Sequence, residues 1–285
     1  MSKRTLFIGA LFLALSCLSA IDRELSEWIA VITIILAGIP HGAFDLRLAR
    51  VVWTSGVRTT TFIITVYLLS AVSMSALCIL TPSIGFSLFI LISIAHFVHG
   101  EQFGRMRSDR FLSLQMGLAS VALPIGLHYK EARGFMGFFL SSGTLDLLGP
   151  YLRIFAWALT ILLCLSLLGT RLSKRMEVNG HFVQRLLCLA GWMFLPPLSG
   201  FCIWFIGRHS LGHLVVCREL FKKAESRYIR DFILLSIAAL TLLVPLSFLF
   251  DFTDLQQLFT ATIVLIAGLT LPHIIIVARI PHTDD

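Results

Sequence analysis

Charge is scarce in this chain. Asp, Glu, Lys and Arg make up only 14% of its 285 residues, against about a quarter in a soluble globular domain. No polar stretch is long enough to form a separate soluble domain. The expectation is therefore one integral membrane domain over residues 1–285, folded as an all-α polytopic bundle. Cysteine pairing is missing too. Cys17, Cys78, Cys164, Cys188, Cys202 and Cys217 are dispersed, with no CxxC spacing, which argues against a thiolate metal site or a disulfide framework. Each reads as a small apolar residue in a helix. There is no nicotinamide or flavin fingerprint, no internal repeat and no low-complexity segment. Acidic residues are outnumbered, 16 to 23, giving a net charge of +7. The basic residues lie in short clusters between apolar runs, as the positive-inside rule requires, so they report topology and not nucleic-acid binding.

Long hydrophobic runs are what the chain does have, with 57% hydrophobic residues and a mean hydropathy of +0.88. A membrane helix needs about 20 mostly apolar residues. Spans are predicted near 5–20, 28–48, 60–80, 84–104, 111–128, 151–170, 182–196, 198–220, 231–250 and 256–279, about ten in all, with eight or nine as alternatives. The first follows Lys3-Arg4 and reads as an anchor in preference to a cleaved signal peptide. Pro196-Pro197 divides 182–220, because proline interrupts the helical ladder; a re-entrant turn there is the other option. With ten spans and a cytoplasmic N-terminus, Lys3/Arg4, Arg47/Arg50/Arg58, Arg105/Arg107/Arg110, Arg171/Lys174/Arg175 and Lys222/Lys223/Arg227/Arg230 share one face. The C-terminus is then cytoplasmic as well, and the chain belongs in a cell (inner) membrane.

Histidine stands out against this apolar background. Ionisable residues inside spans mark function by default, and five of the nine histidines fall at similar depth. His41, His96, His209, His213 and His273 all lie on even-numbered spans, about 9–16 Å below the cytoplasmic face at 1.5 Å per residue. They can form one layer. His128 and His181 sit at loop edges, and His282 lies in the tail.

Arg208-His209-Ser210-Leu211-Gly212-His213 is the strongest local signal. Histidines at i and i+4 share a helix face and can ligate one ion. Gly212 admits another helix closely, and Arg208 can neutralise a carboxylate. His41 precedes Asp45 by four residues, so on a continuing helix the carboxylate would accept the second imidazole N–H, as around many metal-bound histidines. His96 and His99 are at i and i+3. His96 is the favoured ligand, with His99 or Glu101 outside it. His273 follows Pro272, which leaves a carbonyl unpaired one turn back. It is a second-tier ligand, as are Asp45, His99 and Glu101. Bland readings stand beside these: hydrogen-bonded histidines gluing helices, a kinked helix end at Pro40-Gly42, an interfacial His99.

Imidazoles without thiolates suit Fe, Cu or Zn. Scarce carboxylates at this depth argue against a di-iron carboxylate bundle and against the two-His-one-carboxylate triad, leaving an all-His site with an open position. Phe44, Phe97, Trp204 and Phe205 lie near the layer, either flanking an apolar substrate or packing. A membrane hydroxylase or desaturase is an alternative, weakened by the absence of any HH pair. A non-catalytic haem-binding or transport protein is another.

Taken in order, Gly38-Ile39-Pro40-His41-Gly42-Ala43-Phe44-Asp45, Ile92-Ser93-Ile94-Ala95-His96-Phe97, the Arg208–His213 segment and Leu271-Pro272-His273 resemble the Brp/Blh family of membrane beta-carotene 15,15'-dioxygenases. Weaker similarity surrounds Ala122-Leu123-Pro124-Ile125-Gly126-Leu127-His128. The resemblance runs from about residue 30 to 279. It implies a non-haem Fe(II) enzyme that splits the central double bond of beta-carotene with O₂ to give two retinals, with His41, His96, His209 and His213 as ligands. It also implies a carotenoid drawn from the bilayer and a rhodopsin-type protein as receiver of retinal. One departure stands out: Val98-His99 intervene before Gly100-Glu101, where the family follows its second histidine closely with Phe-Gly-Glu. The choice between His96 and His99 stays open on that ground.

Overall fold

A computed structural model of the chain describes residues 2–52, 57–102, 110–172, 180–221 and 225–279. Side chains of His41, 51–52, 57–59, 102 and 225–229 lie outside the described set. Among the described residues there is helix and no strand. The order is α1 (Lys3–Ile21), α2 (Arg23–Thr33), a π segment (Ile34–Gly38), a 3-10 segment (Ile39–Phe44), α3 (Asp45–Val52), α4 (Val57–Leu80), α5 (Pro82–Gln102) and α6 (Arg110–Leu127). It continues with α7 (Tyr129–Met136), α8 (Ser142–Leu172), α9 (Gly180–Phe194), α10 (Pro197–Trp204), a second π segment (Phe205–Ser210), α11 (Leu211–Leu220), α12 (Glu225–Thr241), α13 (Leu243–Leu246) and α14 (Leu255–Val277).

Among the described residues, eight helical stretches are long and apolar enough to cross a membrane: Lys3–Ile21, Arg23–Arg50, Thr60–Leu80, Pro82–Glu101, Arg110–Leu127, Ser142–Leu172, Pro197–Leu220 and Leu255–Val277. The protein is thus an all-α polytopic bundle. Two of the ten predicted spans form helices outside that group. The segment near 182–196 becomes α9, 15 residues long, about 22 Å at the α-helical rise and short of a 30 Å hydrocarbon core. The segment near 231–250 becomes α12, 17 residues, followed by the short α13 containing Pro245.

By contacts the chain divides into two compact units, Met1–Ile34 with Ile94–Gly212, and Ile35–Ser93 with His213–Asp285. In the first, α6 lies along α8 with extensive contact. Gly126 makes that closeness possible, since a methyl there would sit 2.5 Å from the Leu152 carbonyl oxygen. Trp192, Trp204, Met116, Leu123, Leu163 and Ile8 fill the interior. The break at Pro196-Pro197 is real, and its exposed N–H groups are taken by a buried carboxylate. Glu27 of α2 accepts from the N–H of Ser199 at 2.9 Å and of Leu198 at 3.4 Å. An acid at a helix start satisfies orphan donors and the dipole together.

In the second unit α14 packs along α4. Gly268 sets their separation, because a Cβ there would come within 2.8 Å of the Ala71 carbonyl oxygen and 2.3 Å of Ser75 Oγ. Ser75 in turn donates to the Val264 carbonyl at 3.2 Å. Phe44 and Leu48 are buried in this unit, with Phe44 stacked on Phe232 at 5.5 Å between centroids and 22° between planes.

Candidate metal centre

Among the described side chains, the motif histidines occur in two groups, one in each unit. Both groups sit where helical pitch changes. Residues 34–38 form a π segment followed by the 3-10 segment carrying His41, and residues 205–210 form the π segment carrying His209. π-bulges are rare and concentrate at functional sites. The premise of a continuing α-helix from His41 to Asp45 is replaced by this 3-10 stretch. His41 has its backbone there, and its side chain lies outside the described residues.

In the first unit, His96 Nε2 faces His209 Nε2 at 3.1 Å, with the rings nearly perpendicular at 82°. His96 is buried, and His99 is half-buried on the same helix. Aromatic rings enclose His209. Trp204 and Phe205 stack on it at 20° and 13°, and Phe97 meets it edgewise with centroids 4.9 Å apart. Phe97, Trp204 and Phe205 are themselves buried, so they hold the imidazole and do not face lipid.

Beside this pair lies a buried ion pair. Arg208 donates through Nε to Glu101 Oε1 at 2.5 Å and through Nη2 to Oε2 at 2.7 Å, a bidentate fork. Gln184 Oε1 accepts from Arg208 Nη1 at 3.3 Å, and Gln184 Nε2 donates to Thr5 Oγ1 at 2.9 Å. The expected neutralising role of Arg208 is met by Glu101. Gly212, expected to admit a helix, instead lies under the Arg4 guanidinium, whose Nη2 would be 2.9 Å from a methyl there. Arg4 donates from Nε to the Gly207 carbonyl at 3.0 Å, and from Nη2 to that of Arg208. These carbonyls belong to the π segment, where backbone acceptors are loosened from the regular ladder.

In the second unit, Asp45, His213 and His273 each offer a ligand atom, all within 4.8 Å of one another. His273 Nδ1 lies 2.7 Å from Asp45 Oδ1, and Tyr67 Oη donates to Asp45 Oδ2 at 3.0 Å. Asp45 and His273 are both buried, at 2% and 3% exposure. The imidazole of His273 thus turns to a carboxylate, not to the carbonyl freed by Pro272. The rings of His213 and His273 meet edgewise, with centroids 5.1 Å apart. Gly42 leaves room, since a methyl there would touch Asp45 Oδ2 at 3.4 Å and His273 Nδ1 at 3.8 Å. Asp45 stands beside both histidines of this group, and its partner His273 comes from α14, 228 positions along the chain.

Three participants escaped the sequence reading. Tyr67 offered one weak signal, a phenol within an apolar span. Cys217 offered a better one: it follows His213 by one helical turn, and its Sγ lies 3.4 Å from His213 Nε2, so it is more than filler. Gln184 offered none. His128, at a loop edge as expected, accepts or donates at Nε2 with the Trp192 carbonyl, 2.9 Å away.

Two imidazoles and a carboxylate within 4.8 Å of one another, as in the Asp45, His213 and His273 group, are donors of the kind that a borderline divalent ion such as Fe, Zn or Cu takes.

Comparison with known proteins bears on the same segments. The family model described as beta-carotene 15,15'-dioxygenase matches residues 32–280. A protein of that name from uncultured marine bacterium 66A03 is 25% identical over 275 residues, covering 91% of this chain and 96% of its own length. No solved structure matches. With the match spanning both histidine groups and the helices that carry them, the chain belongs to the beta-carotene 15,15'-dioxygenase family.

Proposed function

We propose that this protein cleaves the central double bond of beta-carotene with O₂, giving two retinals, as an iron-dependent membrane enzyme. The observation that carries the reading is a coincidence of motif and geometry. The family match runs over residues 32–280, and within it His96 Nε2 and His209 Nε2 lie 3.1 Å apart. The proposed ligands are His41, His96, His209 and His213. Iron, when bound, would supply activation of O₂. One C40 polyene and one O₂ yield two C20 aldehydes, so atoms balance and no external reductant is consumed.

The chain's own residues do the rest. Trp204, Phe205 and Phe97 clamp the His209 ring with apolar surface. The Arg208–Glu101 fork holds the adjacent helical turn. A beta-carotene molecule dissolved in the bilayer would approach between spans, and retinal would leave toward a rhodopsin-type protein. The reading includes a cell (inner) membrane location with both termini cytoplasmic, which reporter fusions at each end would check.

The test is expression in cells that make beta-carotene. Bleaching, with retinal identified by chromatography, is the expected result. Coloured cells with the protein in their membranes and no retinal would overturn the substrate.

A further inference from the structure

Asp45 is buried, yet both of its oxygens are engaged by named donors. An ionised carboxylate only accepts, so at 2.7 Å from Oδ1 the proton belongs on His273 Nδ1 and the ring's lone pair on Nε2. Tyr67 Oη, donating at 3.0 Å, holds Oδ2 and stops the carboxylate from rotating. This is the outer-shell pattern in which a carboxylate fixes the tautomer and aim of a metal-bound histidine. Helix packing supports it. The Gly268 contact with Ala71 and Ser75 brings α14 against α4, and His273, about one turn after Gly268, and Tyr67, one turn before Ala71, converge on the first residue of α3.

We propose that Tyr67 and Asp45 are positioning residues that fix His273 as a further metal ligand beside His213. The inference rests on the metal reading above and goes beyond it, since neither Tyr67 nor His273 belongs to the proposed four-histidine set. In it Asp45 acts through His273 and is not itself a ligand.

The experiment is Co(II) titration of the full-length protein in detergent, followed by visible d–d absorption, with thermal unfolding of every variant to establish that it is folded. Wild type should bind Co(II). Tyr67→Phe, which removes one oxygen and keeps the ring, should weaken binding about 10-fold, and Asp45→Asn about 10- to 100-fold, the usual range for outer-shell partners. His273→Gln should weaken it further and change the absorption spectrum. If wild type binds Co(II) while Tyr67→Phe and His273→Gln match it in affinity and spectrum, this inference falls and the metal reading stands. If Asp45→Asn abolishes binding as fully as His213→Ala, the carboxylate is a ligand and its positioning role is overturned. If wild type binds neither Co(II) nor Fe(II), the metal reading fails, and this inference with it.

Discussion

The two histidine groups are built from the same kinds of residue and partner them oppositely. Each has a buried carboxylate and an arginine close in sequence to a histidine or aspartate of the motif. In the first unit Arg208 takes the Glu101 carboxylate in a bidentate fork, with side-chain exposures of 1% and 5%. In the second, Arg47 pairs with Asp231 at 3.2 Å, its guanidinium lying 5.2 Å from the Phe221 ring centre. Asp45 accepts from His273 and Tyr67. The difference teaches that a buried carboxylate becomes part of a histidine cluster when the nearest arginine has another partner.

Variants can break that comparison. The largest effect is expected at the imidazoles: His209→Ala should bring retinal formation below detection in carotene-producing cells, whereas Asp45→Asn should leave a measurable residue. Equal loss in both would erase the distinction between a ligand and a positioning group. Next comes the fork. Glu101→Ala strands a buried guanidinium, and removing one partner of a buried pair costs about 3–5 kcal/mol, read as a lower unfolding temperature in detergent. Glu101→Leu with Arg208→Met should recover most of that loss, since neither charge is then left alone. Gly268→Val is a step smaller. Overpacking costs about 1–3 kcal/mol, and because it forces α14 off α4 it should lower metal affinity in parallel, as Tyr67→Phe does. Smallest is Arg47→Met. Its ion pair is partly exposed, at 17% and 25%, and such pairs contribute about 0–1 kcal/mol. A large drop there would show that Arg47 steers Asp45 after all.

Much of the candidate site was legible because imidazole is conspicuous in a hydrocarbon setting. His96, His209, His213 and His273 were each flagged by an apolar surround, and the i, i+4 spacing of His209 and His213 needed only helical periodicity. Spans were legible for a similar reason, since length and hydropathy decide them locally. Where the prediction went further than the structure, at α9 and α12, short helices carried enough apolar residues to resemble full spans. Partner choice was not legible. Asp45 looked like a companion for His41, four residues away, but its described imidazole contact is with a residue 228 positions distant. Glu101 and Arg208 are 107 apart, and Arg4 reaches the Gly207 carbonyl across 203.

The sequence by itself determined that this chain is a helical membrane protein, that its histidines lie within apolar helices, and which family its motifs resemble. Those properties depend on local composition and periodicity, which survive without knowledge of neighbours. Tertiary structure alone decided which carboxylate meets an arginine and which meets an imidazole. Such pairings follow from how closely helices approach at small residues such as Gly268, and close approach is a property of two surfaces, not of one stretch of chain.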